Sequence, residues 1–225
     1  MLFLNKQNRC QAGYTLVELM VAVALTGIVT IAIYKSYISV SVGYDVQDQV
    51  VEVQQNARVA MDRMVRDIRM AGCDPELNDV PGFANIENSN IHFTMDITGG
   101  VGGASDGDVD DFGEDVTYSL VGENLTKVDT TGGSAQVVIG NVSALRFIYY
   151  DTNGAITSAL ANVRAVQIAL LVRATNEDYA FTDTRQYNIE DLSDNVVPIY
   201  TAPGDNFRRQ LLTAVVRCRN MSMAD

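Results

Sequence analysis

Hydrophobic and polar positions divide the chain into three stretches. From Tyr14 to Tyr34 run 21 residues with a single charge, Glu18. At about 1.5 Å per residue a helix of that length covers about 31 Å, enough to cross a bilayer core. Next, apolar residues recur at Val42, Val46, Val50, Val53, Ala57, Ala60 or Met61, Met64 and Ile68. Steps of three and four place them on one helical face. Asp45, Gln47, Asp48, Glu52, Gln54, Arg58, Asp62, Arg63 and Arg66 fill the remaining arc. No proline interrupts Tyr14 to Ala71, and Gly27 and Gly43 are the glycines within it. The pattern predicts one helix of nearly 58 residues, capped by Gly72 with Pro75 shortly beyond. Its first half is apolar all round and its second half amphipathic, as where an apolar surrounding gives way to a globular head.

Beyond residue 76 the pattern shortens to β-like runs. Alternation predicts strands over 91–97, 115–121, 124–129, 142–150, 163–174 and 210–219. The second and third are joined at Gly122 as a hairpin. Stretches 76–88 and 175–206, around Pro198 and Pro203, read as polar loops and short elements. One long helix packed on a mostly antiparallel sheet is an α+β fold.

Composition narrows the function classes. Among 225 residues, 28 acids face 16 bases for a formal charge of −12, with no run of Lys or Arg, so phosphates find no footprint and nucleic acid is not an expected partner. The single histidine, His92, excludes a multi-histidine metal centre, and its alternating context reads as an ordinary strand position. The cluster Gly99–Gly103 lacks the Lys-Ser/Thr of a phosphate-binding loop, and no nucleophile elbow is present. Nothing here calls for an enzyme.

The amino-terminal segment is more informative. Residues 1–13 carry two bases, Lys6 and Arg9, and no acid. A secretory signal has its small-residue cleavage site after the apolar run. Here the small pair Ala12-Gly13 precedes it, so a cut there removes the leader and keeps the helix. The bases place the leader in the cytoplasm and the bulk of the chain outside. Glu18 within the apolar run costs about 2.5–3.5 kcal/mol at the membrane centre on insertion scales, which makes it a functional candidate. The plainer alternative is a signal-anchor with Glu18 near the headgroups.

Gly13, Tyr14, Thr15, Leu16, Val17 and Glu18 followed by an apolar helix resemble the class III signal of type IV pilins and type II secretion pseudopilins. Tyr14 stands where Phe is commoner and keeps an aromatic. The resemblance implies that prepilin peptidase cuts between Gly13 and Tyr14 and methylates the new amine. It also implies that Glu18 is an assembly contact for the Tyr14 amine of a neighbouring subunit. The helix end, Gln54 to Gly72, and the closing run, Arg208 to Asn220, look like those of PilW-type minor pilins. J-type pseudopilins share the plan. The expectation is therefore a pilin-like fold in four parts: a cleaved leader over 1–13, a transmembrane or filament-core helix over 14–35, an amphipathic helix over 36–72 and a β-rich periplasmic head over 73–225. Such a minor pilin waits in the inner membrane, then joins other minor and major pilins, helping to initiate or cap the filament. A minor pseudopilin is the alternative. Arg58, Arg63 and Arg66 are explained as a solvated helix face.

Two constellations remain. Cys10 leaves with the leader, and Cys73 and Cys218 are left in the exported part, where oxidation is permitted. They form a disulfide or stay as two buried thiols. Asp106, Asp108, Asp110, Asp111, Glu114 and Asp115 place six acids within ten positions beside glycines. Hard cations take oxygen ligands from such flexible loops. Asp106, Asp108 and Asp110 match the opening of an EF-hand loop, but Asp111 occupies its glycine position and Thr117 stands where its bidentate Glu belongs. The loop is a degenerate calcium site built on Asp106, Asp108, Asp110, Asp111 and Glu114, or a solvated acidic tip.

Overall fold

The computed structural model describes residues 13–76, 82–99, 105–129 and 133–222. The leader residues Lys6, Arg9, Cys10 and Ala12, and Gly100, Gly102 and Gly103 of the glycine cluster, lie outside the described residues. Among the described residues a single α-helix, α1, spans Leu16–Arg69, followed by ten strands: β1 Phe83–Ile86, β2 Asn90–Thr94, β3 Asp115–Val121, β4 Asn124–Val128, β5 Gln136–Ile139, β6 Val142–Tyr150, β7 Ala165–Arg173, β8 Gln186–Glu190, β9 Val196–Thr201 and β10 Arg209–Arg217. The expected α+β fold, one long helix with antiparallel sheets, is what the chain forms. The described chain divides at Gln47–Asp48 into two units.

In the first unit the large apolar side chains of α1 from Leu16 to Tyr44 are exposed. In the second, α1 buries Val53, Ala57, Ala60, Met61, Met64 and Ile68, the spacing read from the sequence. Val42, placed on that face by periodicity, is exposed, and Val46 and Val50 are half-buried. Periodicity marks which side of a helix is apolar but not where its partner surface begins.

Three antiparallel sheets complete the head. Strands β1 to β5 pair in sequential order, β6 and β7 pair with β10 beyond β7, and β8 pairs with β9. The face of β6 and β7 carrying Leu145, Phe147, Tyr149, Val166, Ile168, Leu170 and Val172 packs with α1, as do Phe93, Tyr118 and Leu125 of the five-stranded sheet. The opposite face, with Ile148, Tyr150, Ala165 and Ala169, is covered by Ile189 of β8 and by Val197 and Ile199 of β9. Burial of β7 on both faces is why its run is apolar apart from Gln167 and does not alternate.

The β8–β9 hairpin supplies the short elements expected among the loops of 175–206. Pro198 argues against a strand because it cannot donate to a ladder. Here it lies in one strand of a two-stranded sheet, where the register shifts between Tyr187 and Asn188. Strand β1 is a short element within 76–88, and β5 lies where the pattern predicts no strand. Both are four-residue strands at sheet edges, too short for alternation to register.

Polar cross-links fix the packing. Asp67 of α1 accepts a hydrogen bond from Tyr118 Oη at 2.6 Å and pairs with Lys127 Nζ at 2.9 Å. Lys127 also pairs with Asp129. Past the helix, Gly72 adopts φ +69°, and a Cβ there would sit 2.8 Å from Met221 Sδ and 3.3 Å from Gly82 Cα. Glycine is required by both the left-handed backbone and the close approach.

The most enclosed ion cluster lies around β10. Arg209, 2% exposed in its side chain, forks onto Asp205 through Nη1 at 2.6 Å and Nη2 at 2.5 Å, and Nη1 reaches Asp183 Oδ2 at 3.2 Å. Asp183 also accepts from Arg185 Nε at 2.9 Å and Tyr187 Oη at 2.7 Å. Burial pushes the Asp183 carboxyl up, but the hydrogen bonds from Arg185, Tyr187 and Arg209 outweigh it and bring it down to about 2.

Two outcomes are expected. In the intact chain in detergent, Met64→Ala lowers unfolding stability by about 2–5 kcal/mol through a core cavity. Val59→Ala, on the exposed arc, changes it by less than about 0.5 kcal/mol. Equal effects would mean that the buried face of α1 is misassigned. Because the folded carboxyl of Asp183 titrates below its unfolded value near 3.9, its contribution is present above about pH 4 and is lost as pH falls through about 2. In denaturation curves collected across that window, Asp183→Asn should be less stable at pH 7 and should lose less further stability on acidification. An unchanged acid slope would remove Asp183 from the cluster's role.

Candidate functional site

Thr15 ends the non-helical lead-in to α1, and its Oγ1 accepts a hydrogen bond from Glu18 N at 3.2 Å. Thr15 is thus the N-cap and Glu18 the third residue of the helix, the Thr-x-x-Glu arrangement of a capping box. An acid in the first turn also sits at the positive end of the helix dipole. The spacing was visible in the sequence, but the apolar run drew attention to Glu18 alone. Gly13 and Tyr14 lie before the cap, and Tyr14 is 86% exposed. A bond in an exposed, non-helical segment ahead of a cap is accessible to a peptidase.

The helix that follows suits an apolar medium. It is long and apolar enough to cross a membrane. The hydroxyls of Thr26 and Thr30 donate to the carbonyl oxygens of Ala22 at 2.7 Å and Thr26 at 2.8 Å, so neither needs solvent.

In the head, the acidic loop is only partly as expected. Asp106, Asp108 and Asp111 bring a carboxylate oxygen each to within 4.8 Å of one another. Asp110 is not part of that group: its backbone N turns onto Asp108 Oδ1 at 3.2 Å. Its carboxyl is raised, first by the hydrogen bond to Asp108 and then by that residue's charge. The EF-hand spacing therefore does not carry over, since an Asx turn redirects the chain at its third acid. The Asp111 carboxyl is raised by burial and by the charges of Asp106, Glu114, Asp108 and Asp96. Glu114 is fully buried beneath the loop, and Asp115, on β3, lies 2.5 Å from His92 Nε2. His92 is the strand residue the sequence indicated, on β2.

Cys73 and Cys218 are free thiols in this structure, so the expected bridge between them is not formed. Cys218 is buried in the main core and Cys73 packs against it, as two small apolar groups. Burial pushes the Cys218 thiol up to about 12, and burial, Asp96 and Asp74 raise that of Cys73. Neither thiol readily provides the thiolate that thiol–disulfide exchange requires.

Arg208 and Arg209 of the closing run are structural anchors. Arg208 binds Asp178 at 2.7 Å, next to the Arg209 cluster. The carboxylates they hold, Asp178, Asp183 and Asp205, come from the stretch read as loop, which is why sequence spacing could not pair them. Arg173, beside a cleft of about 390 Å³, stacks 4.0 Å from the Phe207 ring and pairs with Glu123 at 2.6 Å. On α1, Arg58 and Arg66 are exposed and Arg63 is half-buried.

Comparison with known proteins places these features. Residues 94–220 match the family "Type IV Pilus-assembly protein W", and residues 8–34 match the prokaryotic N-terminal methylation motif. No match was found among curated proteins. Among solved structures, the type IV-like pilin TTHA1219 from Thermus thermophilus is similar in fold, with 15% identity and a TM-score of 0.51 over 76% of this chain and 98% of that one. The fold is thus pilin-like, and with more than half of its length matched the chain belongs to the type IV pilus-assembly protein W family.

Proposed function

We propose that this chain is a minor pilin that helps to initiate or cap a type IV pilus. One observation carries the reading: a methylation motif over residues 8–34 runs into a helix whose apolar side chains are exposed, in a chain whose head belongs to a pilus-assembly family. Exposed apolar side chains from Leu16 to Tyr44 need a lipid or protein partner. The inner membrane meets that need before assembly, and helices of other minor and major pilins meet it in the filament.

Prepilin peptidase cuts between Gly13 and Tyr14 and methylates the Tyr14 amine. That amine then lies one residue before the Thr15 cap. Glu18 serves two ends. It stands at the capping-box position, and its charge compensates the Tyr14 amine of a neighbouring subunit in an apolar surrounding where an unpaired cation is strongly unfavourable. The bases of the leader hold it in the cytoplasm while the head lies in the periplasm.

Processing is tested by intact mass of the native protein, which should lack residues 1–13 and carry one added methyl. Gly13→Phe should block the cut and Gly13→Ala should slow it. A mature chain beginning after residue 35 would overturn this reading.

Glu18 is tested with two substitutions. Glu18→Gln keeps the reach of a capping box and removes the charge, whereas Glu18→Ala removes both. Both variants should be processed, accumulate in the inner membrane and be depleted from sheared filaments, as scored by fractionation and immunodetection. Normal incorporation of Glu18→Gln alongside failure of Glu18→Ala would reduce Glu18 to a cap. Normal incorporation of both would end its role in assembly.

A further inference from the structure

We propose that the free edge of β10, from Thr213 to Arg217, takes up an extended, acid-bearing segment of another protein as an added strand. Among the described residues, β10 is the outer strand of the β10–β7–β6 sheet and pairs with β7 alone. Ala174 N donates to Arg208 O at 2.8 Å, and Cys218 N donates to Arg164 O at 2.9 Å. Between these bonds the register runs unshifted from Arg209 to Arg217. Even-numbered residues of β10 therefore bond β7, and odd-numbered ones turn their N–H and C=O groups off the sheet. Those of Thr213, Val215 and Arg217 meet no hydrogen-bond partner among the described residues.

The other edge of the same sheet is covered. On β6, Phe147 N donates to Asn88 O at 2.7 Å, and Tyr149 O accepts from Thr157 N at 2.9 Å. Natural edge strands are kept from pairing by proline, lysine, a bulge or a covering loop. Strand β10 has no proline, lysine or register shift, and Thr213, Val215 and Arg217 are exposed. It is an edge open to pairing.

The odd-numbered side chains also share one face of the sheet. A groove of about 610 Å³ opens on that face, between Leu211 and Thr213 of β10, Gln167 of β7, and Ile189, Glu190 and Val196 of the β8–β9 hairpin. Val215 on the same face is 50% exposed, and Val196 on the hairpin wall 63%. An added strand gains backbone hydrogen bonds from the edge and side-chain contacts from the groove.

Charge sets the chemistry of the segment. Arg217 forms no ion pair among the described residues, and a guanidinium takes a carboxylate in bidentate fashion. Glu190 in the groove wall repels an acid placed there. The segment that fits both has its acid at the Arg217 end and apolar residues beside Val215 and Thr213. A second copy of β10 carries arginine at both ends and no acid, so it is not the occupant.

The probe is the capped peptide Asp-Thr-Val-Thr-Val-Thr, added to the full mature chain in detergent and followed by amide NMR. Laid antiparallel, its acid meets Arg217 and its valines meet Val215 and Thr213. Saturable shifts centred on the amides of Thr213, Val215 and Arg217 are expected, with a Kd of about 1 mM or tighter. Methylating both valine amides of the peptide, which face the edge, should weaken binding at least tenfold. Lys in place of Asp should weaken it about threefold. Val215→Pro removes an outward N–H and leaves the bonds to β7 intact, so it should melt close to wild type and bind at least tenfold more weakly. No saturable shift at several times the expected Kd, or unchanged binding of the N-methylated peptide, would overturn the proposal. So would a self-association of the chain that Val215→Pro abolishes, which would put a second copy on the edge.

Discussion

One helix face, from Val53 to Ala71, carries the head. Its side chains fill the space between the five-stranded sheet and the inner face of β6 and β7, and most of the main core lies within that contact. Removing a large buried side chain from such a site costs several kcal/mol, a large share of a domain's net stability. The polar contacts of Asp67 with Tyr118 and Lys127 then limit how the helix can slide or rotate. Gly72 stops it where the chain must pass close to Gly82 and Met221.

The same helix must meet an opposite demand nearer its start. An unbroken ladder of backbone hydrogen bonds satisfies every interior peptide group, so the segment from Leu16 onward tolerates lipid or other helices equally well. Its exposed apolar side chains make no distinction between these partners. Directionality then falls to the few polar groups at the end. Thr15 caps the first turn, and Glu18 places a single negative charge within it.

Charge in the head is handled in two contrasting ways. Around β10, every buried charge meets an opposite one with good geometry, and the Arg209–Asp205–Asp183 set holds the β8–β9 side of the sheet to the last strand. Around Asp106 to Asp111, like charges crowd together above a buried glutamate with an unsatisfied oxygen. The first arrangement pairs opposite charges within the chain, whereas the second gathers like ones.

Local pattern alone determined a good deal: α1 with its glycine stop, the apolar character of its first half, the face of Val53 to Ile68, and strands such as β3, β4, β6 and β7. Each of these depends on neighbours within a few residues, which is the range that periodicity and capping read. The processing signal was legible for the same reason, since its residues are contiguous. Tertiary structure alone decided where burial on α1 begins, because that depends on how far the sheets extend along it. It also decided that the stretch around Pro198 is a hairpin, since a two-stranded sheet with an irregular register can place a residue that lacks an N–H. The partners of Arg208 and Arg209, the unbridged state of Cys73 and Cys218, and the choice of Asp111 over Asp110 beside Asp106 and Asp108 belong to the same class. These depend on groups far apart in sequence, or on a turn that redirects side chains, and linear spacing contains neither.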